Sequence, residues 1–414
     1  MPAHNDGLLS SGDDDVALGG EPYVRDLSAD LLARSGALGA ELAELIMSSD
    51  IRYRDETVVP TDDLVRSCRD NVKILFATLA GVQVPQTEGP RETGRRRAGQ
   101  GMPLPATLRA YRIGGRFVWN VLLRSSDRTA ASREALLQAA EVIWALIDDY
   151  SEALTDAFRE TIADQARHDT QVRTALLDSI LGGSLGDGPA LWDAATTLGL
   201  PSQGGFVVVV AETRQSGDEP LPKVEQALRE QDVSSAWRLD AQRQIGVLAP
   251  RRGGTIAAAC ERLVDLATAR IGVSEAFPRL ELAPDALRQA RVACMAAAPD
   301  SREVVRYQRE SLAVLLASAP EAGRAFAQAV LRPVLEQPAA DRAQLLQTLR
   351  TWFTENGSTS AAAARLYVHR NTVRYRLRRI EKLTGLGLTD PAAIGRLHTA
   401  LEATRIFGLD RGPD

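Results

Sequence analysis

The run Gly205-Phe206-Val207-Val208-Val209-Val210 constrains this chain most. A continuous apolar stretch rich in β-branched residues is the signature of a buried strand. The next hundred residues supply its partners. Pro222 to Glu230 reads as a helix, and Ser235 to Leu239 and Gln244 to Leu248 read as two strands joined by the polar turn Asp240-Ala241-Gln242-Arg243. A helix from Thr255 to Ala269, a strand at Ile271-Gly272-Val273, a helix from Pro284 to Ala297 and an edge strand at Glu303-Val304-Val305 complete the series. That order predicts an α/β sandwich.

The flanks carry a different period. From Tyr23 to about Arg167 apolar residues recur at helical spacing, as in Leu38, Leu42, Leu45 and Ile46, and again in Val65, Val72, Leu75, Phe76 and Leu79. The segment from Pro105 to Arg112 continues through Phe117, Val118, Leu122 and Leu123 as a further amphipathic helix. Ile143, Ile147, Tyr150, Leu154, Phe158 and Ile162 step by three or four, and the signal resumes through Val172, Leu176, Leu177 and Ile180, so one long helix is expected to lead out of an all-helical domain and to be able to pair with its copy. Gly182 to Pro189 reads as a boundary and hinge. With 414 residues the chain needs more than one core. The expected divisions are a disordered tail over 1–21, a helical domain over 22–170, a helical linker over 171–185, the α/β domain over 186–310 and a helical region over 311–414.

Several functions are disfavoured. No apolar run approaches the roughly 20 residues that cross a bilayer, and the acidic start, Asp13, Asp14 and Asp15, lacks a secretory pattern, so a cytoplasmic protein with no membrane partner is expected. Cys68, Cys260 and Cys294 have no short spacing and read as small buried hydrophobes. His4, His168, His369 and His398 are scattered, giving no support for zinc or for histidine-based catalysis; neither a cofactor nor a metal is expected. Arg95-Arg96-Arg97 reads as an exposed helix face.

The net charge of -5 conceals a local reversal. Between Thr359 and Thr384 stand Arg365, Arg370, Arg374, Arg376, Arg378, Arg379 and Lys382 against one acid, Glu381. A basic segment in an acidic protein suggests a local nucleic-acid surface. Ser358, Thr359 and Ser360 offer helix caps before an alanine-rich helix, Tyr367-Val368 makes a tight turn, and a second helix is expected from Arg370 to about Leu383. At 100° per residue, Val373, Leu377 and Ile380 share one face, while Asn371, Tyr375, Arg378 and Lys382 lie opposite, flanked by Arg374 and Arg379. A recognition helix needs that separation: an apolar stripe to seat it and an exposed face for the major groove. Arg370, Asn371, Arg374 and Tyr375 are assigned to the groove, and Thr359, Thr372, Arg378 and Arg379 to the DNA backbone; His369 is placed to cap the helix or touch a phosphate.

The stretch from Ser360 to Leu377, with Ile380-Glu381-Lys382-Leu383-Thr384-Gly385, resembles the C-terminal helix-turn-helix of PucR-type (CdaR-like) regulators. Residues 186 to about 310 are similar to the family's degenerate GGDEF-like domain, and residues 22 to 170 to the helical N-terminal domain of RsbR-type regulators, with Gln100 to Leu104 and Leu108 to Arg112 as the local marker. The fold class implied is multidomain, α and α/β: an all-helical N-terminal domain, a GGDEF-like α/β sandwich and a helical C-terminal domain with its helix-turn-helix at about 341–408. The resemblance implies a regulator of a catabolic or biosynthetic gene cluster. The expected partners are double-stranded DNA, a second copy of the chain, because one helix-turn-helix buries little surface, and an unidentified small-molecule effector. The alternatives are a signalling scaffold acting through the helical domain and a nucleotide-handling enzyme; the latter is disfavoured because Asp240-Ala241-Gln242-Arg243 stands where a cyclase needs its Gly-Gly-Asp/Glu-Glu-Phe turn.

Overall fold

The computed structural model describes residues 22–201, 203–215, 218–251 and 253–410, so the tail expected over 1–21 lies outside the described residues. Two compact units divide the chain, residues 1–169 and 170–414. Among the described residues no helix is long and apolar enough to cross a membrane.

The first unit is helical, as its periodicity predicts. It contains α1 (Pro22–Ala33), α2 (Ser35–Ser49), α3 (Thr61–Leu79), α4 (Glu88–Gly99), α5 (Leu104–Ser125) and the beginning of α6 (Ala130–Gly182). Leu38, Leu42 and Ile46 of α2 meet Val72, Leu75 and Phe76 of α3, Val118 and Leu122 of α5, and Ile143, Ile147 and Tyr150 of α6 in one core. Four apolar residues counted on the helical stripes face outward instead: Leu45, Leu123, Ile162 and, further along α6, Val172 are 41%, 41%, 45% and 39% exposed. The arginine triplet is also corrected. Arg97 is 1% exposed, because α4 turns it inward onto Asp63 of α3, whereas Arg95 and Arg96 stay nearer the surface with Glu88 and Glu92.

The second unit opens with the end of α6. Leu177, Ile180 and Leu181 pack in the same core as Leu191, Ala194 and Leu198 of α7 (Pro189–Leu198). The glycine-rich stretch between them is therefore a turn within one core, not a hinge, and the two units divide upstream, inside α6. The residues expected to form a linker belong in part to the α/β core.

The sheet runs in the order β2 (Val233–Leu239), β3 (Arg243–Pro250), β1 (Val207–Glu212), β4 (Ile271–Val273), β5 (Val304–Arg306). Only β4 and β5 are parallel. Central β1 is apolar throughout because both its faces are covered: Val208 and Val210 enter the core with α7 and α10 (Ala283–Ala296), whereas Val207, Val209 and Ala211 enter that with α8 (Val224–Arg229) and α9 (Ile256–Leu266). Gly272 lets α10 lie directly on β4, since a Cβ there would stand 2.1 Å from the Ala290 carbonyl oxygen. Cys68 and Cys294 are buried as expected, but Cys260 on α9 is only half-buried.

From Leu312 the chain is helical: α11 (Leu312–Ser318), α12 (Pro320–Leu335), α13 (Ala339–Thr354), α14 (Thr359–Arg365), α15 (Arg370–Thr384) and α16 (Pro391–Phe407). Ala403 and Ile406 of α16 join Val314 and Ala317 of α11, Ala327 of α12 and Ala296 of α10 in a shared core. Arg405 reinforces the joint, donating to the Ala296 carbonyl oxygen at 3.1 Å and pairing with Glu303 at 3.1 Å.

Candidate nucleic-acid interface

Local chemistry sets both helices of the motif. Ser358 Oγ accepts from Ala361 N at 3.2 Å and so caps α14. The small side chains of Ala362 and Ala363 are buried, allowing α15 to approach closely. The turn puts Tyr367 in the left-handed region at φ 57, while the Tyr367 and Val368 amides donate back to the Ala364 and Ala363 carbonyls. His369 then adopts extended backbone and its Nδ1 accepts from Asn371 N at 3.3 Å, which makes it the cap of α15. Gly385, at φ 70, closes the far end.

The two faces of α15 separate as the sequence predicts. Val373, Leu377 and Ile380 are 0%, 6% and 0% exposed and lie in the core formed with α12, α13, α14 and α16. His369, Arg370, Asn371, Arg374, Tyr375, Arg378 and Lys382 are on the outer side, and Thr372 is half-buried at the edge between faces. Thr359 stands half-buried at the first position of α14.

The basic residues fall into two groups that composition does not distinguish. Arg376 donates to Gln344 Oε1 at 2.7 Å and to Thr348 Oγ1 at 3.3 Å, and Arg379 pairs with Asp341 at 2.8 Å and donates to Gln337 Oε1 at 3.0 Å. Both hold α15 to α13 and its N-terminal approach, so Arg379, assigned from sequence to the DNA backbone, is turned to an internal partner. Arg370, Arg374, Arg378 and Lys382 have no acidic or hydrogen-bonding side-chain partner among the described residues and follow one another at intervals of four along the exposed side. The sequence marks Tyr367 only as a turn residue, yet it is 96% exposed next to His369. An aromatic side chain between two short helices is the signal that could have found it.

The α/β domain offers no comparable arrangement. Its β2–β3 turn closes on itself, with Asp240 Oδ1 accepting from Gln242 N at 2.9 Å and Arg243 N at 2.8 Å, and with Oδ2 held by Arg238 at 2.9 Å. Burial opposes ionisation of Asp240, but these hydrogen bonds outweigh it and lower its pKa. Among the described residues no cluster of three His, Cys, Asp or Glu side chains could hold a metal ion.

Comparison with known families gives three matches in succession. Residues 36–173 match the RsbT co-antagonist protein rsbRD N-terminal domain, residues 182–296 the GGDEF-like domain, and residues 345–403 the PucR C-terminal helix-turn-helix domain. The chain is 33% identical over 143 residues to the purine catabolism regulatory protein of Bacillus subtilis, covering 34% of this chain and 27% of that protein. It is 42% identical over 91 residues to the carbohydrate diacid regulator of Escherichia coli, covering 22% and 23% respectively. The matched segments thus span about a quarter of these relatives. A solved regulator of polyketide synthase expression from Bifidobacterium adolescentis aligns over 58% of this chain and 94% of its own, at 20% identity and a TM-score of 0.30.

Proposed function

From a chain that carries an rsbRD N-terminal domain, a GGDEF-like domain and a PucR-type helix-turn-helix, the domain set of PucR/CdaR-type transcription regulators, we propose a sequence-specific, non-enzymatic DNA-binding regulator in the cytoplasm. The observation that carries this reading is the partition of α15. Its apolar side is buried, two arginines hold it to α13, and Arg370, Asn371, Arg374, Tyr375 and Arg378 remain outward. Arginine can fork onto guanine and asparagine onto adenine in the major groove. His369, Tyr367, Thr359 and Thr372 lie where the two helices meet and are assigned to the DNA backbone, together with Arg378. Arg379 is assigned to positioning of the helix.

One such helix reads few base pairs, so two copies acting on paired half-sites are expected. The upstream domains then receive a signal and alter how the two copies present their helices. The test is to recover genomic fragments bound by the full chain and to measure the affinity of each. The Arg374→Ala/Arg378→Ala variant should lose the recovered fragments while keeping its circular dichroism spectrum. Undiminished, selective binding by that variant would remove the assignment.

A further inference from the structure

Helices α5 and α6 of the N-terminal domain share an outer face that keeps large apolar side chains in solvent. Leu137 and Trp144 of α6 are 67% and 46% exposed. At 100° per residue they lie within about 20° of each other, on the flank of α6 that also carries Ile147. That flank adjoins α5: a Cβ on Gly115 would stand 2.4 Å from Ile147 Cδ1, and only Ser126 to Thr129 join the two helices. Counted from this contact along an antiparallel pair, Leu123 comes level with Ala139 and Trp119 with Ile143. Exposed Leu123 and half-buried Trp119 of α5 therefore continue the patch begun by Leu137 and Trp144. Contiguous apolar surface of this kind, bordered by charge, marks an interaction site.

The border says which partner fits. On α5 the outermost line holds Arg112, Arg116 and Leu123, and the whole helix has four arginines and no acid. On α6, Glu134, Glu141 and Asp148 are exposed beside the apolar flank, and from Ala130 to Phe158 there are six acids against the single Arg133. None of Arg112, Arg116, Glu134, Glu141 and Asp148 forms an ion pair among the described residues. A face that is basic along one helix and acidic along its neighbour complements itself when a two-fold axis lays α5 of one copy on α6 of the other, which is the arrangement of an isologous dimer. The area suffices. With 22 residues α5 is about 33 Å long, and two helices each about 10 Å wide offer roughly 650 Å² per copy, near the roughly 800 Å² per partner of a stable interface.

We propose that the face formed by α5 and α6 binds the same face of a second copy of this chain, with Trp119, Leu123, Leu137 and Trp144 at its centre and Arg112 and Arg116 of each copy set against Glu141 and Asp148 of the other. The contact stands on these two helices; only its role, pairing two helix-turn-helix units on DNA, rests on the regulator reading.

The test is sedimentation equilibrium of the full chain without DNA. The parent should be dimeric at micromolar concentration. Arg112→Glu/Arg116→Glu makes both helices acidic and Glu141→Arg/Asp148→Arg makes both basic, so each variant alone should associate about tenfold more weakly. An equimolar mixture of the two should recover the parent's dimer, because α5 then meets an α6 of opposite sign at both contacts; misfolding of either variant cannot produce that recovery. A parent that stays monomeric, a variant that dimerises as tightly as the parent, or a mixture that stays monomeric overturns the interface. Monomeric variants that keep the parent's affinity for recovered DNA fragments leave the interface standing and overturn its role on DNA. Absence of any recovered fragment instead refutes the regulator reading, independently of the sedimentation result.

Discussion

The salt dependence of DNA binding should report the division of basic residues on α15. Four cations there, Arg370, Arg374, Arg378 and Lys382, have no internal partner among the described residues; with Arg370 and Arg374 assigned to the groove, Arg378 and Lys382 are left for phosphates. Each neutralised phosphate contributes a slope of about −0.9 to log affinity against log salt, so the two give about −1.8 per recognition helix, or about a 12-fold loss between roughly 50 and 200 mM salt. In Arg374→Ala/Arg378→Ala, which removes one of these phosphate contacts, the slope should fall to about −0.9 per helix, and the loss over the same interval to about 3.5-fold. Arg376→Ala should behave differently, because this side chain bonds Gln344 and Thr348 rather than facing outward. Its slope should stay within error of the parent while stability falls by about 1 kcal/mol. Fluorescence anisotropy with one recovered fragment across a salt series gives all three slopes. Equal slopes for the double variant and the parent, or an Arg376→Ala slope shallower by a full unit, would refute the division.

Other consequences concern stability. Ser358→Ala removes the cap of α14 and should cost about 1 kcal/mol in urea unfolding, with the Ala361 amide exchanging faster. Asp63→Asn leaves Arg97 without its counter-charge at 1% exposure, and the N-terminal domain should lose about 3 kcal/mol, the low end for a broken buried pair since Asp63 itself keeps 16% exposure. Burial opposes ionisation of Asp63, but hydrogen bonds from Gln100, Arg97 and Arg96 outweigh it and hold its pKa below 3.8; the parent should therefore keep this contribution above the ordinary carboxylate range and lose it as pH falls through the lowered value. At the alkaline end burial pushes the Cys68 thiol from 9.0 up to about 12 and Cys294 up to about 11. Between these limits the unfolded chain has released protons that the folded chain retains, so stability should decline as pH rises above 9, less steeply in Cys68→Ala.

Helix α15 is legible in the sequence because its signal is local. Val373, Leu377 and Ile380 are spaced on one helix, and burying that stripe determines where Arg374 and Tyr375 go. The strands around Val207–Val210 are legible for a related reason, since a strand covered on both faces needs no polar alternation. The features that escape such a reading depend on partners distant in sequence. Arg97 has the look of a surface residue because its counter-ion, Asp63, sits 34 residues away on another helix. The roles of Arg376 and Arg379 are set by Gln344 and Asp341 of α13, not by their own helix. Gly182 to Gly188 has the composition of a hinge, yet apolar residues before and after it converge on one core.

The packed joint between α10, α11 and α16, clasped by Arg405, removes the slack between the five-stranded sheet and the C-terminal helix-turn-helix. For a duplex-binding protein this makes the α/β domain a handle. Wherever a second copy or an upstream signal grips that handle, the pitch at which each reading head meets the groove is set too, and a loosened Arg405 should blur the preferred distance between half-sites before it weakens grip on either one.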